Sequence, residues 1–468
     1  RVFDRMDDKS TVSWGALLAG YVQHEQVQLA LELYEEMQKN DIIPDESILS
    51  SFVKAYAHIG SITHGYRVHD KVIKCNFELN VVLGNSLIDM YAKCGSLIDA
   101  RKVFERLPNR SVVSWASILA GYAIGGDGFV AFELYMSMVR EGIKPTKFII
   151  SSVLKACGQM CSLYHGKILH NYITELGLEI DIVVSNSLID MYIKCRSLRE
   201  SYNLFNLLVN HDEVTWGSII SGFVQDDNSL IALQLFEKMQ CEGRRSNAII
   251  FSSVLQASGK IVALKEGMII HNQIIIQGHG SDSIVGSSLV DMYAKCGTLK
   301  EAIRVFDCLR NKTSTSWGAL IDGCATPGTH NDLAIELIGR MRVECVKPNI
   351  ILYSSALKAC LNVGTLQQCH ALHTDIICNG LQMDVVAGNT LVNIYIKAGS
   401  VDGAHKVFDG MTKRDAVTWN SLIYGYAENG SQNSYILKLY NDMIESDIIP
   451  DRVTFLCILK ACSGIESS

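Results

Sequence analysis

The stretch Val113-Ser114-Trp115-Ala116-Ser117-Ile118-Leu119-Ala120-Gly121-Tyr122 decides how this chain folds. Ile118, Leu119 and Tyr122 fall at helical spacing, and Gly125-Gly126 then supplies a turn. A second apolar series, Val130, Phe132, Leu134, Tyr135 and Met138, runs on to the helix-stop residues Gly142 and Pro145. The segment predicts a helical hairpin. One hairpin of this size cannot bury its apolar faces alone, so it needs neighbours stacked against it.

The tryptophan of that stretch is one mark of a ruler. Trp14, Trp115, Trp216, Trp317 and Trp419 are the only tryptophans, spaced by 101, 101, 101 and 102 residues. Self-similarity at a fixed period is the signature of repeat architectures. Each period divides into units of about 35, 35 and 31 residues, marked by Val-Ser-Trp115, Ser-Val-Leu-Lys-Ala-Cys157 and Asn-Ser-Leu-Ile-Asp-Met-Tyr192. Four triplets follow, at 11–111, 112–212, 213–313 and 314–415, then one complete unit at 416–451. Partial units occupy 1–10 and 452–468, leaving thirteen complete repeats. The expected fold is all-α, an α-solenoid superhelix of helix-turn-helix repeats.

Composition agrees and narrows the function. The 468 residues are 48% hydrophobic and 19% charged, enough apolar surface for a continuous core. The most apolar run, Met268 to Ile276, is broken by His271, Asn272 and Gln273, so no segment reads as membrane-spanning. Forty-two basic against 49 acidic residues leave a net charge of −7. A nucleic-acid binder of that charge must gather its cations on one face.

The 15 cysteines form no Cys-x-x-Cys pair and read as reduced, small packing residues. Cys94, Cys195 and Cys296 stand 101 residues apart, and His370 and His373 beside Cys369 lack further ligands, so no metal or other cofactor is expected. His211-Asp212-Glu213 mimics the His-x-Glu of zinc deaminases, but no Pro-Cys-x-x-Cys follows. The glycines sit at hairpin turns and not in a phosphate-binding loop. No catalytic constellation is present, and the chain reads as a non-enzyme.

Val12-Ser13-Trp14, Asp89-Met90-Tyr91-Ala92-Lys93-Cys94-Gly95, Ala100-Arg101-Lys102-Val103-Phe104 and Leu357-Lys358-Ala359-Cys360 carry a family likeness. With their counterparts in the other triplets they resemble the pentatricopeptide repeat proteins, specifically the PLS subfamily, in which standard, long and short repeats alternate. The resemblance implies a plant-type mitochondrial or chloroplast protein that binds single-stranded RNA, about one nucleotide per repeat. About thirteen nucleotides would bind, with the amino end towards the 5′ end. Arrays of this subfamily direct cytidine-to-uridine editing or other RNA processing, often with partner proteins or a carboxy-terminal deaminase-like extension. The chain begins inside a short repeat and stops inside a long one, so it is expected to be part of a longer protein.

In the family, the fifth and last residues of a repeat contact the base edge and the second packs between bases. Carried over, the short repeats offer Asn85 with Ser111, Asn186 with Asp212, Ser287 with Thr313 and Asn389 with Asp415. The last complete repeat offers Asn420 with Asp451. The family's code then implies U at Asn186, Asn389 and Asn420, C at Asn85, and a purine at Ser287. In repeat order these are positions 6, 12, 13, 3 and 9. The base-clamping residues are Val82, Val183, Ile284, Val386 and Val417. Standard repeats depart from the pattern, with Gly15, Ala116, Gly217 and Gly318 at the fifth position and Asp45, Thr146, Asn247 and Asn349 at the last. Long repeats carry Ser50 with Asn80, Ser151 with Asp181, Ser252 with Asp282 and Ser354 with Asp384 as weaker base-facing residues. The alternative reading is a protein-binding scaffold like the tetratricopeptide arrays; the 35/35/31 alternation and the asparagine register favour RNA.

Overall fold

A computed structural model of the chain describes residues 10–463, apart from 25, 41, 78–79, 179–180, 326–330, 345, 364–365, 381–384 and 429–432. The described residues form 27 α-helices, Thr11–Gln23 to Arg452–Ser463, and no strand. The fold is an α-solenoid of helical hairpins. The hairpin foreseen from Trp115 is the pair Val112–Gly125 and Gly128–Arg140. None of the helices is long and apolar enough to cross a membrane.

The chain falls into two compact units, Arg1–Asp226 and Asp227–Ser468. Inside each, the first helices of successive hairpins pack on one another in order. A second helix lies against the first helix of its own hairpin and that of the next where these belong to its own unit, as Leu163–Glu175 does between Lys147–Gln159 and Ile182–Lys194. This leaves the amino ends of the first helices in a row.

Local chemistry explains the hairpins. Ser111, Thr146 and Asp212 cap their helices by accepting from the backbone N–H three residues on. The tight turn of the short repeats needs a left-handed residue, supplied by Gly95, Gly297 and Gly399 at φ 79°, 74° and 74°. In the second triplet Arg196 adopts it at φ 54°.

All five tryptophans are core residues, none more than 3% exposed. Phe104, Phe205, Phe306 and Phe408 meet Trp115, Trp216, Trp317 and Trp419 edge-on, with ring centroids 4.6–4.8 Å apart. Truncating one to alanine costs about 3–5 kcal/mol in a packed core. A second recurring contact joins long to short repeats. His69, His170, His271 and His373 place Nδ1 2.7–2.9 Å from the hydroxyls of Tyr91, Tyr192, Tyr293 and Tyr395. His370 Nδ1 also reaches Tyr395, at 2.9 Å. The histidines beside Cys369 thus hold a tyrosine, and no metal-ligand cluster exists among the described residues.

Candidate nucleic-acid interface

The last residue of each standard and short repeat caps the following helix, and in four repeats its side chain also meets the fifth residue of its own repeat. Asp212 accepts from Thr215 N at 2.8 Å, and Thr215 Oγ1 accepts from Asp212 N at 3.3 Å, a reciprocal capping box. Asn186 Nδ2 donates to the same carboxylate at 3.2 and 3.3 Å. Thr215 Oγ1 lies 2.7 Å from Asn186 Oδ1. The amide oxygen carries no proton, so in that contact the threonine donates, sharing its one proton with Asp212 Oδ1, also 2.7 Å away. The amide is held at both ends.

The same trio recurs in the second unit. Asn389 Nδ2 donates to Asp415 at 3.0 Å and its oxygen accepts from Thr418 at 2.5 Å. Asn420 Nδ2 donates to Asp451 at 3.0 Å and its oxygen accepts from Thr454 at 2.6 Å. Burial acts to raise the Asp212 and Asp415 carboxyls, but hydrogen bonds from the threonines and asparagine amides outweigh it and leave both below the ordinary range. Asp451 is likewise depressed, chiefly by the Thr454 backbone N–H.

Asn85 is different. Ser111 and Ser114 close a capping box between themselves, with Ser114 N donating at 3.2 Å and Ser111 N at 3.1 Å. The Oδ1 atom of Asn85 is buried and has no hydrogen-bond partner. Ser287 lies 3.2 Å from the Thr313 hydroxyl but gives its proton to the Ser283 carbonyl at 2.7 Å.

Other sequence-selected residues are occupied by capping. Asn80, Asp181 and Asp282 each accept from two backbone N–H groups, and Lys147 also holds Asp181. Asp45, Thr146, Asn247 and Asn349 each accept from one. Ser50 and Ser252 pair with Ser86 and Ser288, at 3.1 and 2.8 Å. Ser151 and Ser354 keep buried hydroxyls with no hydrogen-bond partner. Asp384 lies outside the described residues. At Gly15 and Gly318 the small fifth residue has a packing reason: a Cβ on Gly15 would lie 3.2 Å from Ile48, and one on Gly318 3.1 Å from Leu352.

Val82, Val183, Ile284, Val386 and Val417 are 47–59% exposed, whereas Leu83, Val184, Val285, Ala387 and Thr418, one residue on, are fully buried. The apolar exposure extends to Val12, Val113, Phe148, Val214, Ile249, Ile351 and Val453, at the same register in the other repeats. In the first unit, Phe148, Ser151, Lys155, Asn186 and Val214 line one recess of about 530 Å³. Lys54, Lys155 and Lys358 share one register in the long repeats, and all three are exposed with no ion pair among the described residues. By contrast Lys93, Lys194 and Lys295 are tied to Asp89, Asp190 and Asp291 at 2.6–2.8 Å. The threonines of the trios escaped the sequence reading. Their signal is the run Asp-x-Val-Thr at Asp212, Asp415 and Asp451, against Ser-x-Val-Ser at Ser111.

Family models for pentatricopeptide repeats match segments along most of the chain. The PPR repeat family covers 9–58 and 414–464, and the pentatricopeptide repeat domain 109–160 and 315–362. The PPR repeat itself matches 85–112, 183–212, 214–244, 287–313 and 389–415. A chloroplastic pentatricopeptide repeat-containing protein of Arabidopsis thaliana, At4g18520, is 32% identical over 467 residues, covering 100% of this chain and 75% of the relative. The chain belongs to the pentatricopeptide repeat family.

Two more Arabidopsis thaliana family members, chloroplastic At1g11290 and mitochondrial At3g02330, are 32% and 31% identical over 99% of the chain. The chain spans 57% and 52% of their lengths, little more than half. Among solved structures, the pentatricopeptide repeat protein PPR10 from maize has the same fold, with a TM-score of 0.65 at 18% identity, covering 98% of this chain and 72% of that one. The complex of PPR10 with an 18-nt psaJ RNA element matches with a TM-score of 0.51 at 17% identity, over 98% and 83% of the two chains.

Proposed function

We propose that this pentatricopeptide array, of the PLS type, binds single-stranded RNA and reads it most sharply at Asn186, Asn389 and Asn420. The observation that carries the reading is the trio itself. An amide whose nitrogen is committed to a carboxylate and whose oxygen is committed to a hydroxyl cannot flip. It keeps one N–H and one oxygen lone pair, in fixed order, for a pyrimidine's Watson–Crick edge. The family's code assigns U there and C to the less constrained Asn85. The exposed aliphatic residues at the second positions form the apolar faces between which unstacked bases sit.

Lys54 and Lys155 in the first unit and Lys358 in the second supply positive charge at one register of the long repeats, and they are free to meet phosphate. The relatives' chloroplastic and mitochondrial names and the RNA bound by PPR10 support an organellar RNA ligand. The array serves as the target-recognition part of an RNA-editing or RNA-processing system, its amino end towards the RNA 5′ end. The test is titration of a labelled RNA of about 13 nucleotides carrying UU at its last two positions. Asn389→Ala with Asn420→Ala is expected to weaken binding by about 1–3 kcal/mol. Unchanged affinity would overturn the register.

A further inference from the structure

The turn that leads from a standard to a long repeat occurs five times, and one copy is unlike the rest. Four read Ile42-Ile43-Pro44, Ile143-Lys144-Pro145, Val346-Lys347-Pro348 and Ile448-Ile449-Pro450; the third reads Arg244-Arg245-Ser246. The backbone is common to all five. The first residue of each turn donates its N–H to the carbonyl of a methionine five residues earlier, at 3.0–3.4 Å. Only the side chains have changed. A half-buried aliphatic has become an exposed arginine, and a proline has become a serine.

Those changes open onto a cavity of about 570 Å³ inside the second unit, lined among others by Arg244, Arg245, Ser246, Gln273 and Gln277. No carboxylate lines it. Neither arginine has an ion pair among the described residues, unlike Lys312, which meets Glu344 at 3.1 Å in the next triplet. Ser246 is 3% exposed, and its hydroxyl is buried with no hydrogen-bond partner. The N–H that replaces proline's missing donor is taken by Gln277 Oε1 at 3.1 Å, which fixes that amide at the cavity wall. Gln240 and Gln273 hold each other through their amides at the opposite helix pair. A buried hydroxyl without a partner calls for an explanation, and this one lies beside two guanidinium groups that have no ion pair among the described residues.

We propose that this cavity is a phosphate-binding site, built from the Arg244 and Arg245 guanidinium groups and the Ser246 hydroxyl. Guanidinium forks match the oxygens of a phosphoryl group in pairs, and a hydroxyl completes a third side of the tetrahedron. The space exceeds one phosphoryl group and leaves room for the ester attached to it. A phosphodiester of an RNA strand and the phosphate of a free nucleotide present the same chemistry. The inference stands on the cavity and does not require the base-reading code.

The test uses the full chain and two variants, Arg244→Ala with Arg245→Ala, and Arg244→Ile with Ser246→Pro. The second restores the pattern that four sister turns already fold with; the first changes only exposed side chains, and circular dichroism checks both. Calorimetric titration with uridine 5′-monophosphate, against uridine, reports the small-molecule source. Titration with single-stranded RNA at two salt concentrations reports the strand. Loss of nucleotide binding by roughly tenfold or more in both variants, with RNA affinity unchanged, assigns a free phosphorylated ligand. A fall in RNA affinity with a shallower salt dependence assigns a strand phosphate. Wild-type and variant chains that agree in both titrations would overturn the site.

Discussion

Asn85 and Asn186 stand one triplet apart, at the same register of two short repeats in one compact unit, and their neighbourhoods differ at two positions. Where Asn186 faces Asp212 and Thr215, Asn85 faces Ser111 and Ser114. The serines satisfy each other and leave the Asn85 oxygen alone, while the aspartate and threonine take both ends of the Asn186 amide. A carboxylate is long enough to cap its own helix and still accept from a second residue; a serine hydroxyl is spent on the cap. On the proposed function, base-reading power in this array depends on what the helix cap has left to offer.

The comparison can be broken most directly by moving the trio. Ser111→Asp with Ser114→Thr is expected to wire Asn85 and to shift its preference from C to U by about 1–3 kcal/mol, read by titrating two RNAs that differ only at the third position. Retention of the C preference would show that the cap does not set the base. A smaller effect is expected from Thr418→Val with Thr454→Val. These fully buried hydroxyls are lost without change of shape, and discrimination at each U should fall by about 1 kcal/mol. Ser114→Ala, the matching change beside Asn85, should leave discrimination at that base unaltered.

The smallest effect separates the trios from the histidine clasps. Burial holds His271 and His373 below the ordinary imidazole value of 6.5, with His370 adding to the effect on His373. The unfolded chain therefore binds protons first, so their stability contribution is complete above 6.5 and lost as pH falls below it. The carboxyls of Asp212, Asp415 and Asp451 titrate below 3.8, and their contribution persists until far lower pH. Between pH of about 7 and 5.5 the unfolding midpoint should drop while U discrimination measured on folded protein stays constant. A discrimination that fell in step with stability would contradict this separation.

The hairpins were readable because burial writes itself into apolar spacing. Trp115 and its four counterparts are core residues that only a repeated packing environment keeps at a fixed interval. The Asn–Asp pairs were legible through the family likeness, but not the threonine that completes each trio. Thr215 belongs to the next repeat, and its role arises only when the helix cap folds it back over Asn186. Composition was silent in a similar way about charge. A net −7 hides Lys54, Lys155 and Lys358, which have no ion pair among the described residues, whereas Lys93 and Lys194 are tied to aspartates four residues before them.

The most direct measurement is selection from a randomised single-stranded RNA pool by the purified chain, followed by sequencing of what is bound. The account predicts enrichment of C, U and UU at positions 3, 6 and 12–13 counted from the 5′ side, with the U positions the sharper. A bound fraction with no motif, together with affinity no better than about 10 μM at moderate salt, would contradict it.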